Sequence, residues 1–181
     1  MLDFLIKNSE NLVFDNFINI SSKKPCMESK AHSFLVEWTI NFLKNRDILA
    51  KKIEKIENGK DGFDLYVKYK DREQYLIIEP QLGDLNGIIK KISNNAYFSI
   101  VTLNSKGNFE AIVKNWNLLA GFKFLNIIFV NPFSESDKKW IVFPYTHHKI
   151  CDEDSLETGL KSMFGAVEQI EEGQLLAKIT S

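Results

Sequence analysis

The segment from Gln74 to Gln81 constrains the fold of this chain more than any other part of its sequence. Its residues are Gln-Tyr-Leu-Ile-Ile-Glu-Pro-Gln, so a continuous apolar stretch ends at an acid, a proline and an amide. An apolar run of this length is typical of a strand that is buried on both faces of a sheet. Glu79 then lies at the edge of the core, where its carboxyl needs a proton, a cation or a metal ion, because an isolated buried charge is strongly unfavourable.

Two β segments precede this strand, and together the three predict an antiparallel meander. The first covers Lys52–Glu57, and the second, Phe63–Tyr69, is rich in residues that favour strands. Glycines and short polar segments separate the three strands. Upstream, the apolar residues of Glu28–Lys44 recur at helical spacing, so we expect a helix before the meander.

The rest of the chain alternates helices and strands. Asp84 is placed to cap a helix that begins at Leu85 and ends near Asn94 and Asn95. A crossover of this length allows the next strand, Tyr97–Leu103, to run parallel to the third strand. The sequence therefore predicts an α/β fold of the mixed α+β kind, with a sheet flanked by helices. A helix, two strands and a final helix are expected at Phe109–Ala120, Phe124–Val130, Trp140–Tyr145 and Ser155–Ile170.

Composition favours one globular domain. The chain has 181 residues, of which 44% are hydrophobic and 26% charged, and its net charge of -1 excludes a globally basic coat for nucleic acid. Residues 152–172 are strongly acidic, so the remainder is mildly basic, which is compatible with a polyanion partner and also with surfaces that bind nothing. We divide the domain, 1–181, into an extension (1–27), a core (28–103) and a carboxyl-terminal part (104–181).

The cysteines and the amino terminus favour a cytoplasmic protein that does not enter membranes. Cys26 and Cys151 have no spacing typical of a disulfide framework or a thiolate zinc site. The apolar segment Met1–Ile6 is too short for a signal sequence or a membrane span.

Asp64 and Glu79 are the candidate metal ligands. Asp64 lies on the second predicted strand and Glu79 near the end of the third. Carboxylates on neighbouring antiparallel strands can lie side by side, because such neighbours are roughly 5 Å apart. Paired carboxylates bind Mg²⁺, which keeps positions open for water and for a substrate phosphate. We expect the two to face one cavity, and their repulsion and partial burial to raise the pKa of at least one.

This arrangement resembles the PD-(D/E)XK nuclease superfamily, which includes many restriction enzymes and Holliday-junction resolvases. The likeness covers roughly residues 28–103: the helix, the meander with Asp64 and then Glu79-Pro80-Gln81, the crossover helix and the parallel strand. It implies a restriction endonuclease-like core and metal-dependent hydrolysis of phosphodiester bonds in nucleic acid, with DNA as the expected substrate. It also implies that Mg²⁺ or Mn²⁺ is held by Asp64, Glu79 and the carbonyl of Pro80.

Gln81 departs from the superfamily motif, which has a lysine that orients or polarises the attacking water. An amide can hydrogen-bond to water but supplies no positive charge. Some restriction enzymes of the superfamily have glutamine in this place, which would make Gln81 catalytic here. In others the lysine lies on the following helix, where Lys90 and Lys91 are the candidates; the same two lysines are candidates for contacting nucleic-acid phosphate.

The first predicted helix offers two further candidates. Glu37 resembles a glutamate that some members direct at the metal, although a solvated helix face is the more common explanation. His32 as a ligand would resemble the cap-snatching viral branch of the superfamily, but a lone helical histidine is more often packed or solvated. His147 and His148 follow the last predicted strand, where they could lie beside a phosphate or in an exposed loop. Adjacent side chains of an extended chain point to different sides, which argues against both binding one metal ion.

Two alternatives to a nuclease stay open. One is a catalytically inactive domain of the same fold that binds nucleic acid or serves in assembly. The other is an unrelated protein whose Glu79 makes a structural ion pair. Under the resemblance the expected partner is nucleic acid, and a homodimer is a further candidate because restriction enzymes commonly act as dimers.

Overall fold

A computed structural model of the chain describes residues 27–181. The predicted extension, 1–27, therefore lies outside the described residues apart from Met27, as do Cys26 and Met1–Ile6. The helices of the described part are α1 (Met27–Asp47), α2 (Leu85–Lys91), α3 (Lys106–Lys114), α4 (Trp116–Leu119), α5 (Pro144–Ile150), α6 (Glu153–Ala166) and α7 (Glu172–Thr180). Its strands are β1 (Ile53–Asn58), β2 (Leu65–Tyr69), β3 (Glu73–Ile78), β4 (Tyr97–Leu103), β5 (Leu125–Val130) and β6 (Lys139–Val142).

All six strands form one mixed sheet in the order of the sequence. Strands β1, β2 and β3 are an antiparallel meander, β3, β4 and β5 are parallel, and β6 is antiparallel to β5. Helix α2 joins β3 to β4, and helices α3 and α4 join β4 to β5. The predicted mixed α/β sheet, its meander and its parallel crossover strand are confirmed.

Each face of the sheet carries its own apolar core. Because side chains alternate along a strand, β3 contributes Leu76 and Ile78 to one core and Ile77 to the other. The first core packs against α1 and α7 through Leu35 and Leu175. The second core is covered by α2, α3, α4 and α6. Strand β3 is therefore buried on both sides, as its apolar run predicts.

Strand β3 ends at Ile78, so Glu79, Pro80 and Gln81 lie in the connection to α2. The expected strand extends three residues too far. Proline has no N–H to donate to a ladder, which accounts for the strand ending before Pro80. Helix α2 begins as predicted, with the Asp84 carboxylate accepting from the N–H of Gly87, but it ends at Lys91, earlier than expected.

The predicted strand at Trp140–Tyr145 is wrong in its second half. Pro144 begins α5, in keeping with the preference of proline for the first position of a helix. His147 and His148 therefore lie on a helix and not in a loop or an extended segment.

Two predicted helices have other bounds. The helix expected at Phe109–Ala120 is interrupted at Asn115, whose side chain donates to the carbonyl of Ala111. The helix expected at Ser155–Ile170 ends at Ala166, and a separate helix, α7, follows it. In the described part of the chain, no helix is both long enough and apolar enough to cross a membrane.

Asn104, at the end of β4, holds the connection between α6 and α7. It is fully buried, its amide donates to the carbonyl of Val167 at 2.7 Å, and its side-chain oxygen accepts from the Trp140 indole at 2.8 Å. Its backbone carbonyl accepts from the N–H of Ile170 at 3.0 Å. These bonds anchor the segment that leads into α7 to the end of β4.

We expect Asn104→Leu to lower the free energy of unfolding by about 2–4 kcal/mol, because it leaves several buried polar groups without partners. Urea denaturation measures this change. Asn45→Leu, at an exposed position on α1, is the matched control and should change stability by less than about 0.5 kcal/mol. Equal losses in the two variants would show that the Asn104 network does not stabilise the fold.

Candidate functional site

The position of Asp64 depends on an irregularity at the start of β2. Its N–H donates to the carbonyl of Leu76 at 3.1 Å, and Leu76 is also the register partner of Leu65. Two consecutive residues therefore lie opposite one, which is the residue count of a β-bulge. A bulge interrupts the alternation of faces, so Asp64 can point to the same face as Leu65, the face that α1 covers.

Both carboxylate oxygens of Asp64 are hydrogen-bonded. Oδ1 lies 2.8 Å from Nε2 of His32 on α1, and Oδ2 accepts from the backbone N–H of Ile78 at 2.7 Å. The carboxylate thus joins α1 to the last residue of β3. Its orientation is fixed before any ligand binds.

Glu79 follows Ile78 and continues the ladder by donating its N–H to the carbonyl of Val101 at 2.9 Å. Its side chain reaches solvent, yet enough protein surrounds the carboxyl to raise its pKa, with desolvation as the largest cause and the charge of Asp64 as the next. The positive charges of His32 and Lys91 act in the opposite direction. The two predicted acids are therefore electrostatically coupled, and the expected rise in pKa is confirmed for Glu79.

His32 takes part in the same group of charges. The pKa of His32 is raised, mainly by its hydrogen bond to Asp64, while partial burial lowers it and the charges of Asp64 and Glu79 raise it further. The protonated imidazole can donate to Asp64 and offset part of the repulsion between the two acids. The structure thus gives His32 a defined partner.

Asn108 of α3 shapes the connection that carries Glu79, and the sequence analysis missed it. The residue is buried, its amide donates to the carbonyls of Pro80 at 2.8 Å and Leu103 at 3.0 Å, and its oxygen accepts from the N–H of Leu82 at 2.8 Å. Its position four residues before the buried Ile112, on the apolar stripe of α3, is the sequence signal that could have identified it.

The Pro80 carbonyl is already engaged in the protein. Besides Asn108, Thr102 donates to it at 3.4 Å, and Pro80 is buried. To serve as the extra metal ligand, this oxygen would have to share its lone pairs with those donors. Its role as a ligand stays a prediction.

Gln81 and the two lysines of α2 lie around Glu79 in different ways. The Gln81 side chain is exposed and makes no hydrogen bond to the described residues. Lys91 lies with its Nζ 3.5 Å from the carbonyl of Gly62 and lowers the pKa of Glu79, whereas Lys90 has neither contact. The structure therefore brings Lys91, rather than Lys90, toward the acids.

Glu37 lines an open groove of about 540 Å³ together with His32 and Asp64. The groove runs between α1 and the turn from β1 to β2, with Phe63 at its edge. The exposed Glu37 side chain is thus near Asp64, which lies just before β2 and not on it as predicted. Whether it reaches a bound ion stays a prediction.

Within residues 27–181, no three His, Cys, Asp or Glu side chains form a ready-made metal cage. Mg²⁺ is often bound by only one or two carboxylates, with waters and substrate phosphates completing its coordination. Asp64 and Glu79 are two carboxylates, and the charge of Asp64 acts on Glu79. Their binding of a metal ion stays a prediction. His147 lies elsewhere, on α5, where its ring is hydrogen-bonded to the carbonyl of Phe143 at 2.8 Å.

Comparisons of the chain with protein-family models, with curated proteins and with solved structures found no match. Function must therefore be inferred from the residues of this chain and their geometry.

The His32–Asp64 bond predicts a pH dependence. Because folding raises the pKa of His32, the stabilisation from this bond is full below the unfolded value of about 6.5 and is lost as the pH rises through the folded pKa. We expect NMR titration of the His32 ring protons to give a midpoint above 6.5 that falls toward 6.5 in Asp64→Asn.

The matched control is Asp61→Asn, at an exposed position in the preceding turn, which should leave the His32 midpoint unchanged. A His32 midpoint that is the same in wild type and in Asp64→Asn would contradict the assignment of Asp64 as the main cause.

Proposed function

We propose that this protein is a metal-dependent endonuclease-like hydrolase of phosphodiester bonds in nucleic acid, with DNA as the expected substrate. The observation that carries the proposal is the electrostatic coupling of Asp64 and Glu79 at neighbouring ends of β2 and β3. The order of helix, antiparallel meander, crossover helix and parallel strand supports it, because the PD-(D/E)XK resemblance implies the same order.

The chemistry of the donor set fits Mg²⁺ or Mn²⁺. These two carboxylates would favour a divalent cation, since its charge would offset the desolvation and the repulsion by Asp64 that together raise the pKa of Glu79. Imidazole is a softer ligand than carboxylate, so participation of His32 would shift the preference from Mg²⁺ toward Mn²⁺. When bound, such an ion activates water and neutralises charge on the scissile phosphate.

Three residues near the two acids would position the ligands, the attacking water and the substrate phosphate. His32 keeps the Asp64 carboxylate in place through the 2.8 Å bond. Gln81, exposed two residues after Glu79, would orient the attacking water through its amide. Lys91 would bind a phosphate oxygen, because its ammonium already acts electrostatically on Glu79.

A specific observation favours the catalytically inactive alternative. Both oxygens of Asp64 and the carbonyl of Pro80 already have protein donors, and Gln81 carries no charge. A protein that uses these groups only to stabilise its fold would bind nucleic acid without cutting it. That binding would weaken steeply with salt if lysines supply the contacts.

Metal binding and cleavage test the nuclease directly. We expect Asp64→Asn and Glu79→Gln each to weaken Mn²⁺ binding at least tenfold in calorimetric titration, because each removes an anionic ligand. Each should also reduce nicking of a supercoiled plasmid at least about a thousandfold, since water activation depends on the ion.

Glu110→Gln, at an exposed position on α3, is the matched control and should change neither measurement. A wild type that neither binds Mn²⁺ nor cleaves plasmid, branched or single-stranded substrates would overturn the nuclease in favour of the inactive alternative.

Gln81 allows a sharper test of the reaction. Gln81→Ala should lower the turnover of cleavage about 10²-fold or more with metal affinity nearly unchanged, because a water-orienting group acts mainly in the transition state. Gln81→Lys, which restores the charge of the superfamily motif, should keep or raise activity. If Gln81→Ala leaves the turnover unchanged, another residue orients the attacking water, and Lys91 is the next residue to replace.

A further inference from the structure

A second groove, of about 370 Å³, lies at the other end of α1 from His32. It is bounded by the last turns of α1 and by the amino-terminal ends of β3 and β4. Arg46, on its rim, is 14 residues beyond His32, so the two regions are about 20 Å apart along the helix. The volume is within the range of pockets that hold small molecules.

Three polar side chains on β3, β4 and β5 form a hydrogen-bonded ladder at the floor of this groove. The Gln74 amide donates to the hydroxyl of Ser99 at 2.5 Å, and that hydroxyl donates to the oxygen of Asn126 at 2.8 Å. Gln74 and Ser99 are buried, and Gln74 and Asn126 line the groove. A polar ladder amid apolar neighbours is costly unless its remaining groups are satisfied.

The ladder leaves one acceptor and one donor without partners. The oxygen of Gln74 and the NH₂ group of Asn126 make no hydrogen bond to the described residues. If the hydrogen bonds ran in the opposite direction, Asn126 would donate to Ser99 and Ser99 to Gln74. The Asn126 oxygen and the Gln74 NH₂ group would then be without partners, so one acceptor and one donor would still be free. The Gln74 nitrogen and the Asn126 oxygen that are bonded to Ser99 are no more than about 5 Å apart. The free oxygen and the free NH₂ group belong to the same two amides, so one planar heterocycle with a donor and an acceptor at separate positions can contact both.

Aromatic rings surround this polar floor. Phe42, Tyr69, Tyr97 and Phe143 line the groove, and Tyr97 and Phe143 expose 38% and 45% of their surface. Exposed rings beside unsatisfied amides suit a ligand that is flat, apolar on its faces and polar at its edge. Nucleobases have these properties, and they stack on aromatic side chains whatever their sequence.

The rim of the groove is cationic. Arg46, Lys52 and Arg72 line it against a single carboxylate among the described lining residues, Asp47. Asp47 accepts from the backbone N–H groups of Lys52 and Ile53 at 2.9 and 2.8 Å, so its charge is engaged locally. The Arg72 guanidinium lies 4.4 Å from the ring centre of Tyr69 and 5.5 Å from that of Tyr97, and it donates to both oxygens of the exposed Asp71 at 3.3 and 3.4 Å. The guanidinium groups are therefore placed to receive a phosphate.

We propose that this groove binds a nucleotide, with its base on the amides of Gln74 and Asn126 and its phosphate at Arg46 and Arg72. A single asparagine or glutamine amide pairs with a base edge through one acceptor and one donor. In this groove the free acceptor and the free donor come from two side chains, Gln74 and Asn126. A purely apolar ligand would leave both amides desolvated, and a simple anion would leave the aromatic rings unused. The site does not depend on the proposed metal chemistry at Asp64.

Titration of the full chain with the four nucleoside 5′-monophosphates, in EDTA, tests the proposal. We expect at least one of them to shift the side-chain amide resonances of Gln74 and Asn126 in ¹⁵N NMR spectra. Arg46→Gln, on the exposed rim, should raise the calorimetric Kd at least tenfold, and Asn126→Leu should do so if it folds. Lys44→Gln is the matched control, since Lys44 is on the same helix but lines a different groove.

Two further measurements show whether the occupant is a free nucleotide or part of a strand, and whether this site is independent of the candidate active site. A short single-stranded oligonucleotide that shifts the same amides when mononucleotides do not would support a nucleotide within a strand as the occupant. Asp64→Asn should bind nucleotide as wild type does, whatever its effect on metal binding. Failure of the nuclease proposal would therefore leave this result intact.

Three results would overturn the proposal. One is that neither the monophosphates nor the oligonucleotide shifts the two amides. Another is that the shifts occur at His32 and Asp64 in place of Gln74 and Asn126. The third is that inorganic phosphate alone binds as tightly as any nucleotide, which would reduce the groove to an anion contact.

Discussion

The candidate site depends on the hydrogen bonds of one buried amide, that of Asn108. Pro80 ends β3 because it lacks an N–H, and its buried carbonyl then needs a donor from outside the strand. Asn108 supplies that donor and also accepts from the N–H of Leu82. A single side chain thus satisfies the backbone on both sides of Gln81 and fixes the path of the chain from β3 to α2.

The fixed connection determines where the charged groups lie. Glu79, just before it, keeps a ladder bond to Val101 and is held at the end of the sheet. Just after it, Asp84 caps α2 and sets the direction of that helix, whose last residue, Lys91, comes within range of Glu79. The coupling between an acid and a lysine 12 residues apart therefore has its origin in the bonds of a third residue on another helix.

The protonated ring of His32 and the proposed metal ion would compete for the carboxylate of Asp64. Asp64 is stabilised by the imidazole of His32 when that ring is protonated, and a divalent cation would offer the same stabilisation. Binding of the cation would therefore release a proton from His32 wherever the ring is charged. Desolvation and the charges of Asp64 and Glu172 raise the pKa of Glu79, whereas His32 and Lys91 lower it, so the charge of Glu79 is sensitive to either event.

Much of the fold could be predicted from the sequence, because strand and helix periodicities are local. The meander, the crossover and the pairing of Tyr97–Leu103 with β3 all follow from such patterns. The bulge at Asp64 and the ladder of Gln74, Ser99 and Asn126 could not be, since both arise from pairing between strands that are distant in the chain. The sequence identifies Glu79 as a candidate because an acid beside a buried apolar run is unusual, and Asp64 because it lies on the neighbouring predicted strand.

Because of the bulge at Asp64, the number of residues between β1 and β2 determines which face of the sheet the Asp64 carboxylate points to. The extra residue opposite Leu76 shifts the alternation of side chains between the two faces of the sheet by one position. The Asp64 carboxylate faces α1 because of that shift. A chain shorter by one residue here could pair β2 with β3 in the same register and bury the same apolar side chains. It would nevertheless present its acid to α2, on the far side of the sheet from His32, and the group of charges at the end of β3 would no longer form.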